Sequence, residues 1–424
     1  MTSDFPTGRH AALARLDAFL PRAGIAYARS RNFDRGDAGH ANVSRLSPCL
    51  RHRVLSEAEV ISAAIRMHGA EAAGKFVQEV MWRSWSKGWL ELRPGVWTDC
   101  RAGVARGLDR VGAEAGLRMR WDDACAGRTG IGCFDHWARE LAATGYLHNH
   151  ARMWFASIWI FTLGLPWQLG ADFFLRHLLD GDPASNTLGW RWVAGLQPNG
   201  RAYAATAENI ARYTEGRFRP SGLNETPEPL REGPIPAPRA LPEPGRLDPD
   251  LPAGWLLTEE DLSPAADLPA APVPLAVLTA PQDRSPLCVA PQVTAFTAAL
   301  AEDAIARLAP RCAGVTRLDA AEALAGWAED QGLRQIATAW VPVGPMAGLL
   351  AAAHPRLAAR GIRLVQLRRS WDSRCWPLAA HGFFRFARHI PALLADLPGS
   401  GGPGAGTAAP AGGTEERGSG KQHA

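Results

Sequence analysis

Several absences narrow what this chain can be. Its seven cysteines, at positions 49, 100, 125, 133, 288, 312 and 375, are odd in number and never stand as CxxC. That spacing argues against both a disulfide framework and a zinc or iron–sulfur site, so no metal is expected. No glycine-rich dinucleotide fingerprint, set between a strand and a helix, is present, so the usual Rossmann route to a dinucleotide is missing. The longest apolar runs, such as "MWFASIWIFTLGLPW" at 153–167, are too short to cross a bilayer and read as buried helix. The N-terminal residues show no basic stretch followed by an apolar core and a cleavage site, so the cytoplasm is the expected compartment and no membrane partner is expected. Tyrosine is scarce, with four residues against sixteen tryptophans. Tryptophan packs cores, but it also stacks on planar rings.

What is present is globular in composition: 424 residues, 46% hydrophobic and 21% charged, enough for two or three domains with real cores. Before residue 218 apolar residues recur at helical intervals, as in "HAALARLDAFL" and "SEAEVISAAIRM", with little period-2 alternation. The chain's small positive surplus sits in this half and is weak evidence for a polyanionic partner. From 218 to 252 proline is too dense for a helix or a central strand to persist. Thereafter "GWLLTEEDL", "VPLAVLTAP", "RQIATAWVP" and "IRLVQLRRSW" read as short buried strands alternating with helical segments, the pattern of a parallel sheet covered on both faces. The expected organisation is a helical domain over 1–217, a Pro-rich linker over 218–252, a Rossmann-like parallel α/β domain over 253–396 and a disordered tail over 397–424.

Four stretches of the helical half carry a more specific signal. They are "YARSRNFDRGDAGHANVSRLSPCLRHRVLS", "FVQEVMWRSW", "TGIGCFDHWARELAATGYLHNHARM" and "DGDPASNTLGWRW". In order and spacing they resemble the photolyase and cryptochrome flavoproteins, nearest to the members that repair cyclobutane pyrimidine dimers. In that family an α/β domain precedes the helical one, whereas here it follows, so a permuted arrangement of an antenna-type domain is expected. No residue names an antenna pigment.

The resemblance implies a helical pocket for FAD. Asp180 and Asp182 match carboxylates that meet the flavin, though Asp-Gly-Asp before proline otherwise caps a helix or shapes a turn. Arg152 would pair with Asp180. Asn186 matches the residue facing the flavin N5, where its amide oxygen can accept a hydrogen bond from the protonated nitrogen; asparagine there leans toward repair. Tyr27, Ser44, Arg45, Leu46 and Ser47 would lie along the pyrophosphate. Glu79, Trp82, Asn149, His150, Met153 and Trp192 match positions lining the substrate cavity. There a partly buried Glu79, ionised or protonated, would bond the lesion, and Trp82 and Trp192 would hold splayed bases. Trp190 and Trp167 match the first two members of an electron-transfer chain toward the flavin. Gly103 falls where the third would stand, and Trp97, Trp121, Trp154 or Trp159 could replace it. Trp85, Trp137 and Trp159 are read as core. Four positions depart from the pattern: Phe76, Gly132, Tyr146 and His150. The last replaces an arginine by a group titrating near neutrality, which implies weaker duplex affinity.

These matches imply light-driven repair of UV-damaged DNA by a monomer, in which the reduced flavin lends an electron to the dimer and recovers it. Two alternatives stand beside it, a blue-light photoreceptor using the same FAD and a repair enzyme restricted to single-stranded DNA.

Overall fold

A computed structural model describes residues 5–36, 40–197, 200–264 and 272–397. The expected tail, beyond its first residue, lies outside the described residues.

The first half is helical: α1 (Arg9–Phe19), α2 (Ile25–Ser30), α3 (Ser47–Arg51), α4 (Glu57–Glu91), α5 (Gly95–Ala113), α6 (Ala115–Ala126), α7 (Gly132–Thr144), α8 (Asn149–Ser157), α9 (Trp167–His177), α10 (Pro183–Val193) and α11 (Ala207–Tyr213). The long α4 starts at a capping box. Ser56 accepts from the Glu59 amide at 3.3 Å, and the Ser56 amide donates back to the Glu59 carboxylate at 2.8 Å. At Gly69 (φ 76°, ψ 162°) the helix kinks, in a backbone region that favours glycine. The run after that kink carries Glu79, Trp82, Arg83 and Lys87.

Between Tyr213 and Ala253 the backbone forms neither helix nor strand, as the prolines require. The segment is nonetheless a fastened strap. Leu230 donates to the Ala194 carbonyl at 2.9 Å, Arg239 to Leu92 at 2.8 Å and Gly245 to Gln366 at 2.8 Å.

The second half is a five-stranded parallel sheet of β1 (Ala253–Thr258), β2 (Val273–Leu278), β3 (Cys312–Arg317), β4 (Gln335–Ala339) and β5 (Arg363–Leu367), in the order β3-β2-β1-β4-β5. It is joined and followed by α12 (Pro291–Leu308), α13 (Leu324–Asp330), α14 (Pro345–Ala358), α15 (Ser370–Cys375), α16 (Phe383–Ala387) and α17 (Ile390–Ala395). The strands' period-2 alternation divides the packing. Trp255, Leu257, Leu275 and Val277 join α12, α15 to α17 and the N-terminal helices in one core, whereas Leu256, Ala276 and Ile336 face α13 and α14. The helical and α/β halves therefore share a core. Gly88 of α4 permits the closest approach, because a Cβ there would lie 2.7 Å from the Trp376 Cα.

In open parallel sheets the ligand crevice lies beyond the strands' carboxyl ends, at the point where strand order reverses. That point falls between β1 and β4, and Arg51, His52 and Arg53 of the helical half run along the end of β1. Arg51 donates to both oxygens of Glu260 at 2.6 and 2.7 Å, His52 Nδ1 meets the Glu259 carbonyl at 2.7 Å, and Arg53 pairs with Asp372 at 2.7 Å. All of these side chains are buried.

Candidate flavin and substrate site

The polar cradle forms where α3, α4, α8 and α10 meet. Arg152 on α8 donates to Asp180 at 2.9 Å, just before α10. Burial would raise the Asp180 carboxyl, but the adjacent Arg152 and a hydrogen bond from Ser47 hold it below its ordinary value. Its second oxygen is buried without a partner. The Tyr146 ring meets two guanidinium groups, Arg45 at 5.4 Å and Arg152 at 5.8 Å. Arg45 adopts a positive φ of 53°, which turns the "VSRLS" segment sharply into α3.

Asp182 has a different role. Its Oδ1 accepts from the amides of Ala184 and Ser185 at 3.0 and 2.9 Å, capping α10. Its Oδ2 faces Arg83 at 3.3 Å, Lys87 at 3.7 Å and Arg51 at 3.9 Å. Against the cost of burial, these cations hold the carboxyl well below the usual carboxylate range. Both oxygens thus have partners within the protein, and the capping role stands beside the expected contact with a flavin. Sequence reasoning missed Arg83, Lys87 and Arg51 here. Arg83 and Lys87 stand at i,i+4 on α4, a spacing that puts two cations on one helix face and was the available signal.

Asn186, on the next turn of α10, donates its amide nitrogen to the Ala171 carbonyl at 2.9 Å. That bond fixes the amide plane and leaves the oxygen to accept, which the expected N5 role would require. Tyr27 is buried edge-on against Phe19 and Phe76, at 6.1 and 5.2 Å. Leu46 is fully buried, while Ser44 and Ser47 are partly exposed. An acceptor left free on Asp180, a fixed Asn186 amide and a surround of arginines and lysine suit a flavin nucleotide with its pyrophosphate.

The cavity residues come from three of these helices, α4, α8 and α10, with α10 packed against both others. Trp192 is 41% exposed and its ring lies 5.2 Å from Tyr203. Asn149 is exposed at the start of α8, and Met153 is half-buried. Glu79 pairs with Arg31 at 2.8 Å and Lys75 at 3.4 Å. His150 corrects an expectation. Its ring is buried, stacked on Trp154 at 4.3 Å, with Nδ1 at the Asn32 carbonyl at 2.9 Å. Burial pushes its pKa down, so it serves the core as a neutral ring and does not replace the missing cation at the surface.

Trp190 is buried on Gly170, where a Cβ would lie 2.2 Å from the indole, and Trp159 meets its ring edge-on at 6.2 Å. Trp85, Trp137 and Trp159 are buried as read. Trp167 donates to Glu232 at 2.8 Å and lines a cavity of about 240 Å³ with Asp99, Arg106 and Arg191. Gly103 lies beside Gln168, the neighbour of Trp167.

Fold and cradle together define a helical flavin-binding domain joined to a parallel α/β domain. Residues 76–217 match the family described as the FAD binding domain of DNA photolyase, and FAD is its cofactor. The deoxyribodipyrimidine photo-lyase of Thermus thermophilus is 35% identical over 238 residues, covering 54% of this chain and 53% of the relative. That of Streptomyces griseus is 40% identical over 159 residues, covering 37% and 33%. A Synechocystis cryptochrome structure aligns at 25% identity with a TM-score of 0.40, covering 50% of this chain and 44% of that one. Through its helical half, the chain is similar to the photolyase and cryptochrome family. It spans about half the length of the first of these curated relatives. Among the described residues no helix is long and apolar enough to cross a membrane.

Proposed function

We propose that this protein repairs cyclobutane pyrimidine dimers in DNA by light-driven electron transfer. The observation that carries the reading is the pairing of a fixed Asn186 amide and an Asp180–Arg152 cradle with solvent-facing Trp192 and Asn149 on the same helices. When bound, reduced FAD supplies the photoexcited electron that opens the cyclobutane ring. The protein's own residues bind and orient. Asp180, Arg152 and Ser47 hold the cofactor's polar edge, and Arg45 and Arg83 offer positive charge to its phosphates. Trp192 and Trp82 stack on a dimer extruded from its strand, since photolyases reach their lesion by base flipping. Glu79, already between Arg31 and Lys75, presents a carboxylate oxygen to the lesion's imide edge. Trp190, with Trp167, carries electrons to the flavin site.

The test is illumination of the reduced, FAD-loaded protein with an oligothymidine containing dimers, single-stranded and then in duplex. Recovery of thymine absorbance in either is expected. No recovery in both, with the flavin still photoreducible, would replace repair by light sensing. Recovery only in the single strand would restrict the substrate.

A further inference from the structure

Trp82 is partly covered by the far end of the chain. Phe383 of α16 lies flat on it, ring centroids 3.6 Å apart and planes 11° from parallel. Two bonds from α4 and its end clamp the turn before α16: Trp85 Nε1 donates to the His381 carbonyl at 2.8 Å, and Arg93 to Ala380 at 2.7 Å. Beyond α16, Arg374 fastens the chain's next turns, donating to the Leu393 carbonyl at 3.0 Å and pairing with Asp396 at 2.7 Å. The segment is therefore a fixed part of the surface beside the cavity wall.

On its outer side Phe384 is 78% exposed, the most exposed large apolar side chain among the described residues. His381, Arg385, Arg388 and His389 are exposed around it. Among the described residues neither Arg385 nor Arg388 has a carboxylate partner, and from Ser373 to Ala395 the chain contains no acidic residue. Most other surface arginines of this half are paired, as Arg317 is with Glu302 and Arg360 with Glu329. Unpaired cations flanking an outward aromatic ring combine phosphate attraction with a stacking platform, the two elements of single-strand nucleic-acid binding. A fold has no need of either at this place.

We propose that α16 and the turn after it form a nucleic-acid contact surface outside the cavity. Arg385 and Arg388 meet backbone phosphates, and Phe384 stacks on a nucleotide flanking the lesion. Phe383 links this surface rigidly to Trp82, so the flanking strand and the extruded dimer are held by one continuous wall. The inference rests on the repair reading of that cavity and adds to it a contact made by the α/β half.

The test uses the full chain loaded with FAD, in the dark, binding a fluorescent single-stranded oligothymidine with one cyclobutane dimer across about 50 to 200 mM salt. Each phosphate contact contributes about 0.7 to the slope of log affinity against log salt for a single strand, so R385A/R388A should flatten it by about 1.4. F384A should weaken binding about fivefold or more. Flavin absorbance of each variant reports that the fold is kept. An unchanged slope in R385A/R388A, with the wild type binding normally, would overturn this inference while leaving repair intact. Wild-type protein that binds no oligonucleotide would overturn the repair reading and this surface with it. Variants that lose binding only to phosphatidylglycerol vesicles would reassign the patch to lipid.

Discussion

Arg51 of the helical half grips Glu260, at the end of β1, with two parallel hydrogen bonds of 2.6 and 2.7 Å, and both side chains are buried. Truncating one member of such a pair strands a charge in the interior, at a cost of about 3 to 5 kcal/mol. E260Q should therefore lower stability strongly, whereas an R51M/E260L double variant should recover most of the loss. Urea unfolding of the single and double variants measures the coupling. A single variant as stable as the wild type would show that this contact does not join the two halves.

The Asp180–Arg152 pair leaves one Asp180 oxygen buried and free. D180N keeps the shape but removes the charge that Arg152 and Ser47 orient. Hydrogen bonds to charged groups contribute about 1.5 to 3 kcal/mol, so FAD affinity should fall at least about tenfold. Titration of the apoprotein with FAD, followed by flavin absorbance, decides it. Wild-type affinity in D180N would move the cofactor away from this cradle.

The parts of this architecture written in local pattern were legible before the structure. The strands β1, β2, β4 and β5 are apolar runs, and the Asp180–Arg152 pair follows from a motif. The edge strand β3 escaped because "CAGVTR" is half-exposed, with alanine and glycine at its centre, and has no buried stripe to announce it. Phe383 on Trp82 and Arg51 on Glu260 escaped for another reason. Their partners are hundreds of residues apart, so no spacing rule connects them. At Asp182 the motif pointed to the cofactor and left out the local chemistry, which gives one oxygen to the cap of α10 and the other to Arg83, Lys87 and Arg51.

Trp190 and Trp167 should differ from Trp159 in photoreduction of bound FAD. Trp159 is fully buried with its ring 6.2 Å from Trp190, whereas Trp167 borders the cavity with Arg106 and Arg191. Under blue light with an external thiol donor, W190F should abolish flavin bleaching, W167F should slow it, and W159F should leave its rate near that of the wild type. A loss in W159F equal to that in W190F would place Trp159 on the path.

Glu91, at the end of α4, accepts the Val343 amide at 2.6 Å and is buried. Burial, against smaller opposing effects of that hydrogen bond and of nearby Arg239, pushes its carboxyl up to about 7. Because the folded value lies above the unfolded one near 4.5, its contribution to stability is fully present below pH 4.5. It is lost as pH rises through about 7, since the unfolded chain releases the proton first. Glutamine keeps an acceptor for Val343 but cannot ionise. Relative to the wild type, E91Q should therefore gain stability between about pH 5 and pH 8, by up to about 3 kcal/mol at about 1.4 kcal/mol per unit. Other buried groups titrate in both proteins and cancel in the difference. Urea unfolding of the pair at both pH values gives that difference directly, and a value independent of pH would mean that Glu91 ionises as readily in the fold as in the open chain.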